Sequence, residues 1–339
     1  MRNTRYCRVL ITGAAGFVGR QLMLHYRQQG AEVVGIDCIA SPGLGITAAD
    51  ITQPSNYADL LAGCDLVVHA AAIVSNNIET VTAWQVNTMA TAQLIAAASA
   101  AKVARFVFVS SGAVMRFGNL EYEATERASP GRPFDEDWPL MPIGNPYTDS
   151  KIAAEHVVLA AHAKGTLPCT IVRPADIYGP GCRPWVTEPL KVIQAGQFLL
   201  PAHGKGLFTP IYIDDVVRGL TMAAEDDRGL GQIFLIGGEH TVTNEAFFTY
   251  HYQWLGLAGG PPTFSTEDAI QMAEQVREKL ESAGRHTEIG AGLMRQFTKK
   301  RSFSNAKARE LLGWQPQVNL EEGMRYTRAW LVAESLIAA

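Results

Sequence analysis

The chain has 339 residues, 47% of them apolar, and a formal charge of −4. That is enough apolar material for one large α/β core or two modest ones. The mild acidity gives no basic field for nucleic acid or for an anionic membrane, which leaves a small molecule as the expected partner.

The five cysteines, Cys7, Cys38, Cys64, Cys169 and Cys182, are odd in number, scattered and without metal-ligand spacing. They read as reduced thiols, and no metal site is expected. The basic residues at the start precede no apolar leader core, and no apolar run approaches a bilayer span, so a cytoplasmic protein is expected.

In chain order, apolar β-rich runs predict strands at Cys7–Ile11, Glu32–Ile36, Asp65–Ala72, Arg105–Ser111, Cys169–Pro174 and Gln232–Ile236. Helices are expected between them, at Val18–Gln29, Ala83–Ala101 and Tyr147–Ala163. Runs such as VVGI and LVVHAAA are apolar without period-two alternation, as expected of strands covered on both faces. The alternation therefore predicts an α/β fold, a doubly wound parallel sheet of the Rossmann kind. After about Arg173 the texture changes to Gly/Pro clusters and helical segments. A Rossmann domain is expected over 1–175, and a smaller substrate-binding lobe over 176–339, with the chain returning to the sheet around 209–240. Within that lobe the charge-dense stretch Ser265–Arg301 reads as a solvated helix and loop.

Immediately after the first strand comes ITGAAGFVG, with Gly13, Gly16 and Gly19 three apart and a helix starting near Phe17 and Val18. Such glycines allow a tight turn, let the backbone approach a pyrophosphate, and seat the helix on the strand. The three-apart spacing resembles that of the extended short-chain dehydrogenases/reductases, the epimerase/dehydratase-like superfamily. Asp37 ends the second strand, 18 residues past the last glycine, where a Rossmann carboxylate accepts the ribose hydroxyls. A carboxylate there repels the extra phosphate of NADP, and the following Cys38, Ile39 and Ala40 supply no cation, so NAD is the expected cofactor. The resemblance further implies adenine contacts at Asp50 and Ile51, with a turn-capping role the alternative for Asp50. It also implies a close approach of the cofactor along Ala70, Ala71 and Ala72, and a polar helix residue at Asn87, for which a surface position is the alternative. His69 is expected to be a satisfied core histidine.

RFVFVSSGAV places Ser110 and Ser111 at the end of the fifth strand, and PYTDSK follows with Tyr147 and Lys151 on one helical face. Alcohol oxidation needs a base, and moving a phenol from a pKa of ~10 to about 7 takes about 4 kcal/mol of phenolate stabilisation. Lys151 and an oxidised nicotinamide ring are cations able to supply it. A serine hydroxyl can orient the substrate oxygen. The pair Tyr-x-x-x-Lys is a weak signal alone, but here it stands in order behind the glycine turn, Asp37 and the serines. By resemblance the catalytic serine is Ser111, three residues before Val114, and Ser110 is structural. Lys151 would also hold the nicotinamide ribose.

The resemblance continues through FDEDWPL, RPADIYGPG (Arg173–Gly181), IYIDDV (Ile211–Val216) and FSNAKARELLGWQP, and so spans most of the chain. It implies that Pro174 and Ala175 lie against the nicotinamide end. Sugar-nucleotide members commonly carry an Arg where this chain has Phe208, and often an Asn where it has Asp176; an apolar ring cannot replace a charge-assisted contact, and a second negative charge would repel phosphates. Both departures argue against a nucleotide sugar, and with HAAA, PYTDSK and RPADIYGPG together the chain looks closer to the hydroxysteroid and sterol dehydrogenase-like branch, or to members acting on small carbonyl compounds.

The leading expectation is thus an NAD-dependent oxidoreductase acting on a secondary alcohol or ketone. Trp185, Phe208 and Met115 are candidates for the apolar pocket, or equally simple core residues. Two alternatives stay open, a sugar-nucleotide epimerase/dehydratase and a non-catalytic NAD-binding sensor. A homodimer built on the helices Ala83–Ala101 and Tyr147–Ala163 is expected by analogy.

Overall fold

The computed structural model describes residues 4–115 and 131–338. Seven parallel strands, β1 (Arg8–Thr12), β2 (Glu32–Asp37), β3 (Ile46–Ala48), β4 (Leu66–His69), β5 (Arg105–Val109), β6 (Cys169–Pro174) and β10 (Ile233–Ile236), form one sheet. Its order is β10-β6-β5-β4-β1-β2-β3. The chain starts in the middle, winds outward to β3, then returns to the other side of β1. The direction of winding therefore reverses between β1 and β4, which opens a crevice at their carboxyl ends, where doubly wound sheets bind ligands.

Every residue of β4 and β5 is buried, as the unalternating sequence runs require. Alternate residues feed two separate cores: Val9, Ile11, Leu66, Val68, Val107 and Val109 on one face, Leu10, Val67, Phe106 and Phe108 on the other. The first face is covered by α1 (Phe17–Gln28) and by a later helix, Ile213–Glu225. The second is covered by a continuous rod of α2 (Thr80–Trp84), a π turn (Gln85–Met89) and α3 (Ala90–Ala100), together with α4 (Pro146–Ala163). The sequence-based bounds of these elements hold to within a few residues. β4 is the exception, since the chain leaves the ladder after His69 instead of continuing to Ala72.

The remainder of the chain comprises β7 (Asp176–Tyr178), α5 (Glu188–Gln194), β8 (Leu207–Phe208), β9 (Pro210–Tyr212), α6 (Ile213–Glu225, the helix on the first face of the sheet), β11 (Val242–Thr243), α7 (Asn244–Trp254), α8 (Thr266–Ser282), α9 (Ala291–Gln296), α10 (Ala306–Leu312) and α11 (Leu320–Ala333). The chain re-enters the sheet through α6 and β10, the latter pairing with β6. The IDD segment is a structural knot. Both carboxylate oxygens of Asp215 accept from the Gln317 amide, at 2.9 and 3.0 Å, and one also from Val318 at 3.0 Å. The chain's last helices are thereby tied to α6.

The stretch Ser265–Arg301 departs from expectation. Its charges pair along α8, Arg277 with Glu274 and Glu281. Its other face is not solvated: Ala273, Val276, Leu293, Met294 and Phe297 line the main cleft. No disulfide joins the five cysteines, and among the described residues no helix is long and apolar enough to cross a membrane.

Candidate active site

The glycine turn lies flat on the ends of β1 and β4. Gly13 has φ +67°, and a Cβ there would stand 2.7 Å from the Ala71 amide nitrogen. A Cβ on Gly19 would stand 2.1 Å from the Gly13 carbonyl oxygen. Only glycine permits these approaches, and together they seat α1 directly over the crevice. Gly16 is the N-cap of α1 and brings no capping side chain, so backbone N–H groups and the helix dipole face the crevice unspent.

Asp37, at the end of β2, accepts from the Ala15 amide at 3.0 Å and pairs with no cation among the described residues. The exposed backbone N–H groups of such a turn and the carboxylate of Asp37 have the chemistry that the pyrophosphate and ribose hydroxyls of NAD require, so these residues fit that cofactor.

From this turn a cleft of about 1250 Å³ runs between the carboxyl ends of the strands and the elements that follow β7. Gly13, Gly16, Phe17, Val18, Gly19, Ala70, Ala72, Ser111, Tyr147, Pro174 and Ala175 all line it. The structure thus brings together residues that the sequence scatters over 163 positions (13 to 175). Asn145 caps α4 by accepting from the Thr148 amide at 2.9 Å, and Pro146 occupies the first helical position. This cap fixes where the first turn, and so Tyr147, begins.

Lys151, one turn on, is only 2% exposed. Its Nζ donates to the Val109 carbonyl at 2.7 Å and lies 4.0 Å from the Phe108 ring centroid. Burial pulls its ammonium down to about 7, and Glu155 offsets only part of this. Lys151 therefore stands behind the cleft wall, one helical turn from Tyr147, rather than in the cleft.

Ser111 lines the cleft, and its Oγ accepts from the Ala113 amide at 3.1 Å. Ser110 is bound instead to Glu155, whose carboxylate takes Nε and Nη2 of Arg173 at 2.9 and 2.7 Å. That buried cluster engages the Ser110 hydroxyl, and Ser110, like Ser111, lines the cleft. His69 is a satisfied core histidine, held between Thr12 Oγ1 at 2.6 Å and Thr91 Oγ1 at 2.9 Å, and burial pulls it down to about 3.

Asp50, Ile51 and Asn87, expected to contact the cofactor, do not line this cleft. Asp50 is exposed and caps its own turn, accepting from the Thr52 amide at 2.9 Å, while Ile51 packs in the core beneath β2. Asn87 is neither on the surface nor on the cleft. It sits in the π turn, 1% exposed, with Oδ1 on the Ile73 amide at 2.8 Å and Nδ2 on the Ile73 carbonyl and Ser150 Oγ. Ser150 Oγ in turn donates to the Tyr147 carbonyl at 2.9 Å. Asn87 thus ties the segment after β4 to the helix of Tyr147, a positioning task.

Phe208 and Met115 are fully packed core residues, and only Trp185 of the three aromatic and thioether candidates reaches the cleft. The charge expected to stand alone at Asp176 does not: Lys299 Nζ lies 2.8 Å from Asp176 Oδ2. Asp176 is therefore no repulsive charge, and that argument against phosphate-bearing substrates falls.

Residues 9–237 match the model of the NAD dependent epimerase/dehydratase family. The chain belongs to this family. It is thereby an NAD-dependent enzyme of the extended short-chain type, and the glycine cradle and Asp37 suit that cofactor. Relatives span several chemistries. The chain is 26% identical to a 4-hydroxy-2-methyl-3-oxo-4-farnesyl-3,4-dihydroquinoline-1-oxide ketoreductase of Stigmatella aurantiaca, over 94% of each chain. It is 31% identical to a 3-beta-hydroxysteroid dehydrogenase of Mycolicibacterium neoaurum, over 64% of this chain and 61% of the relative. Among solved structures it is similar to MoeE5 in complex with UDP-glucose and NAD, at a TM-score of 0.76 and 25% identity, covering 97% of this chain and 99% of the other.

Proposed function

We propose that the enzyme moves a hydride between NAD and a secondary alcohol or ketone whose body is apolar and not a nucleotide. One observation carries this reading. Beyond Tyr147 and Ser111 the same cleft is walled by the partly exposed Trp185, Phe198, Leu199, Ile289 and Leu293, backed by the buried Met294 and Phe297. Such a wall favours burying an apolar substrate body, at roughly 25 cal/mol per Å² removed from water. The named activities of the quinoline ketoreductase and the hydroxysteroid dehydrogenase are consistent with it.

NAD, when bound, supplies the site that accepts or gives the hydride. Gly13, Gly16, Phe17, Val18 and Gly19 would hold its phosphates, Asp37 its ribose hydroxyls, and Pro174 and Ala175 its nicotinamide end. Ser111 donates a hydrogen bond to the substrate oxygen and stabilises the charge that develops there. Tyr147 takes the hydroxyl proton in oxidation and returns it in reduction. Lys151, when charged, lowers the cost of the Tyr147 phenolate through the low-dielectric wall between them. Its own depressed pKa means that this help depends on a cation the fold holds weakly.

We infer a homodimer as well, with Val81, Trp84 and Met89 exposed along the α2 rod beside α4 as the contact.

The decisive experiment incubates purified protein with NAD and a panel of steroid, aryl and aliphatic secondary alcohols, following reduced-cofactor absorbance. Net reduction with apolar alcohols is the expected result. Turnover confined to nucleotide sugars, with no net change in cofactor absorbance, would establish the epimerase alternative instead.

A further inference from the structure

The cleft has two rims that meet away from the glycine turn. One is the segment after β4, which contributes Val74, Ser75 and Asn76; the other is the connection between α8 and α9, which contributes His286, Glu288 and Ile289. These rims are bonded to each other. Ser75 Oγ donates to Glu288 Oε1 at 2.5 Å, the Asn76 amide donates to Glu288 Oε2 at 2.9 Å, and Asn77 Nδ2 donates to the Thr287 carbonyl at 2.7 Å. His286 Nε2 leans on the same carboxylate at 3.3 Å. Both oxygens of one carboxylate are thus used to pin the opposite rim, and such charge-assisted bonds are the strong ones.

The connection does not stop at the rim. Asn76 Oδ1 accepts from Asn145 Nδ2 at 2.9 Å, and Asn145 Oδ1 accepts from the Thr148 amide as the cap of α4. Three hydrogen bonds therefore lead from Glu288 to the first turn of the helix that carries Tyr147. Helix α9 abuts the same residue, since a Cβ on Gly292 would lie 3.7 Å from Asn76 Cβ. The α8–α9 unit is already tied within itself: Glu274 Oε1 accepts from the Ala291 amide at 2.6 Å and Arg277 clamps Glu274. Glu288, with 41% of its side chain exposed, is not needed to fold that unit.

We propose that Glu288 is a positioning residue that latches the α8–α9 unit across the substrate cleft and, through Asn76 and Asn145, sets the first turn of α4. The assignment rests on the reading of Tyr147 as acid/base, and its test separates the two. Glu288→Ala deletes both acceptors, while Glu288→Gln retains an acceptor for the Asn76 amide and can donate to Ser75 Oγ. Asn76→Ala keeps the backbone donor to Glu288 but cuts the link to Asn145.

Glu288→Ala is expected to raise KM for an apolar secondary alcohol about tenfold, the worth of one charge-assisted hydrogen bond, with Glu288→Gln restoring most of the loss. Asn76→Ala is expected to lower kcat with KM held within about twofold, because it disturbs the helix but not the latch. Hydrogen exchange on the protein without cofactor supplies the independent readout: Glu288→Ala should speed exchange in peptides covering 75–77 and 146–149 and leave the sheet unchanged. Unaltered exchange in both peptides together with unaltered KM would overturn the latch. If wild-type protein oxidised none of the alcohols, the reading of the reaction would fail while the exchange data still judged the latch.

Discussion

Lys299 Nζ lies 2.8 Å from Oδ2 of Asp176, a residue that lines the cleft, and each side chain is only 7% exposed. Asp176 Oδ2 also accepts from the Thr209 amide at 2.9 Å, which joins β7 to the strand region of β8 and β9. Removing one member of a buried pair strands the other, which costs more than removing both. Lys299→Met is therefore expected to cost about 3 kcal/mol in urea unfolding, and Asp176→Asn combined with Lys299→Met to recover at least half of it. Strictly additive losses in the double variant would mean that the two side chains are not coupled.

Lys151 offers a pH-dependent signature. Its pKa falls from the ordinary 10.5 to about 7 on folding, chiefly because burial disfavours the ammonium. Between those values the unfolded chain holds a proton that the folded chain has released, so stability rises with pH. The penalty is fully present below about pH 7 and is relieved as pH climbs toward 10.5. Unfolding free energies of the wild type and Lys151→Met, measured from pH 6 to 9.5, should therefore converge in the upper part of that range, at a slope of at most about 1.4 kcal/mol per pH unit. Parallel curves would place the charge of Lys151 in a wetter setting than the Val109 carbonyl and Phe108 ring provide.

Much of this arrangement is legible in the residues themselves. Unalternating apolar runs gave the covered strands, and glycines at 13, 16 and 19 marked the turn because each close approach leaves no room for a side chain. Asn145-Pro146 is a local helix-start signal that points to the position of Tyr147, though only the structure reveals that Asn145 also reaches Asn76. Other features depend on contacts distant in sequence. Ser75 and Glu288 are 213 residues apart, and nothing near either announces the other. The same holds for Asp176, whose charge looked unbalanced because Lys299 lies far along the chain. Phe208 and Met115 read correctly as apolar, but hydrophobicity does not distinguish a cleft wall from the core behind it. β3 escaped notice because three residues with only Ile46 buried carry almost no periodic signal.

The glycine cradle predicts a graded series. Gly19→Ala places a methyl against the Gly13 carbonyl, where backbone on both sides cannot yield. Overpacking of this kind costs about 1–3 kcal/mol, and tilting α1 away from the crevice should weaken NAD binding further. Gly13→Ala adds a left-handed φ to a clash with the Ala71 backbone. Gly43→Ala, which meets nothing within 4 Å, is the control. Thermal melts with and without NAD should show cofactor-induced stabilisation lost in the first two and kept in the third.

The exposed apolar side chains Val81 (65%), Trp84 (39%) and Met89 (57%) predict where two copies meet. Met89→Glu puts a charge into that contact, and desolvating it without a partner costs far more than the contact gains. Sedimentation velocity at micromolar protein should find the wild type as a dimer and Met89→Glu as a monomer with an unchanged far-ultraviolet spectrum. A wild type that sediments as a monomer at every concentration would remove the dimer.

Tyr147 itself carries the sharpest expectation. Phenylalanine keeps the ring that lines the cleft and removes the hydroxyl, so Tyr147→Phe should keep NAD binding. General acid–base catalysis is worth roughly 10²–10⁴ in rate, and kcat for the alcohol should drop by that factor. Ser111→Ala should lose less, about 10² to 10³, because it removes one hydrogen-bond donor to the developing charge but not the proton acceptor. The order matters more than the sizes. If Ser111→Ala were the more damaging change, the proton would be leaving through the serine, and Tyr147 would be a wall of the cleft rather than its base.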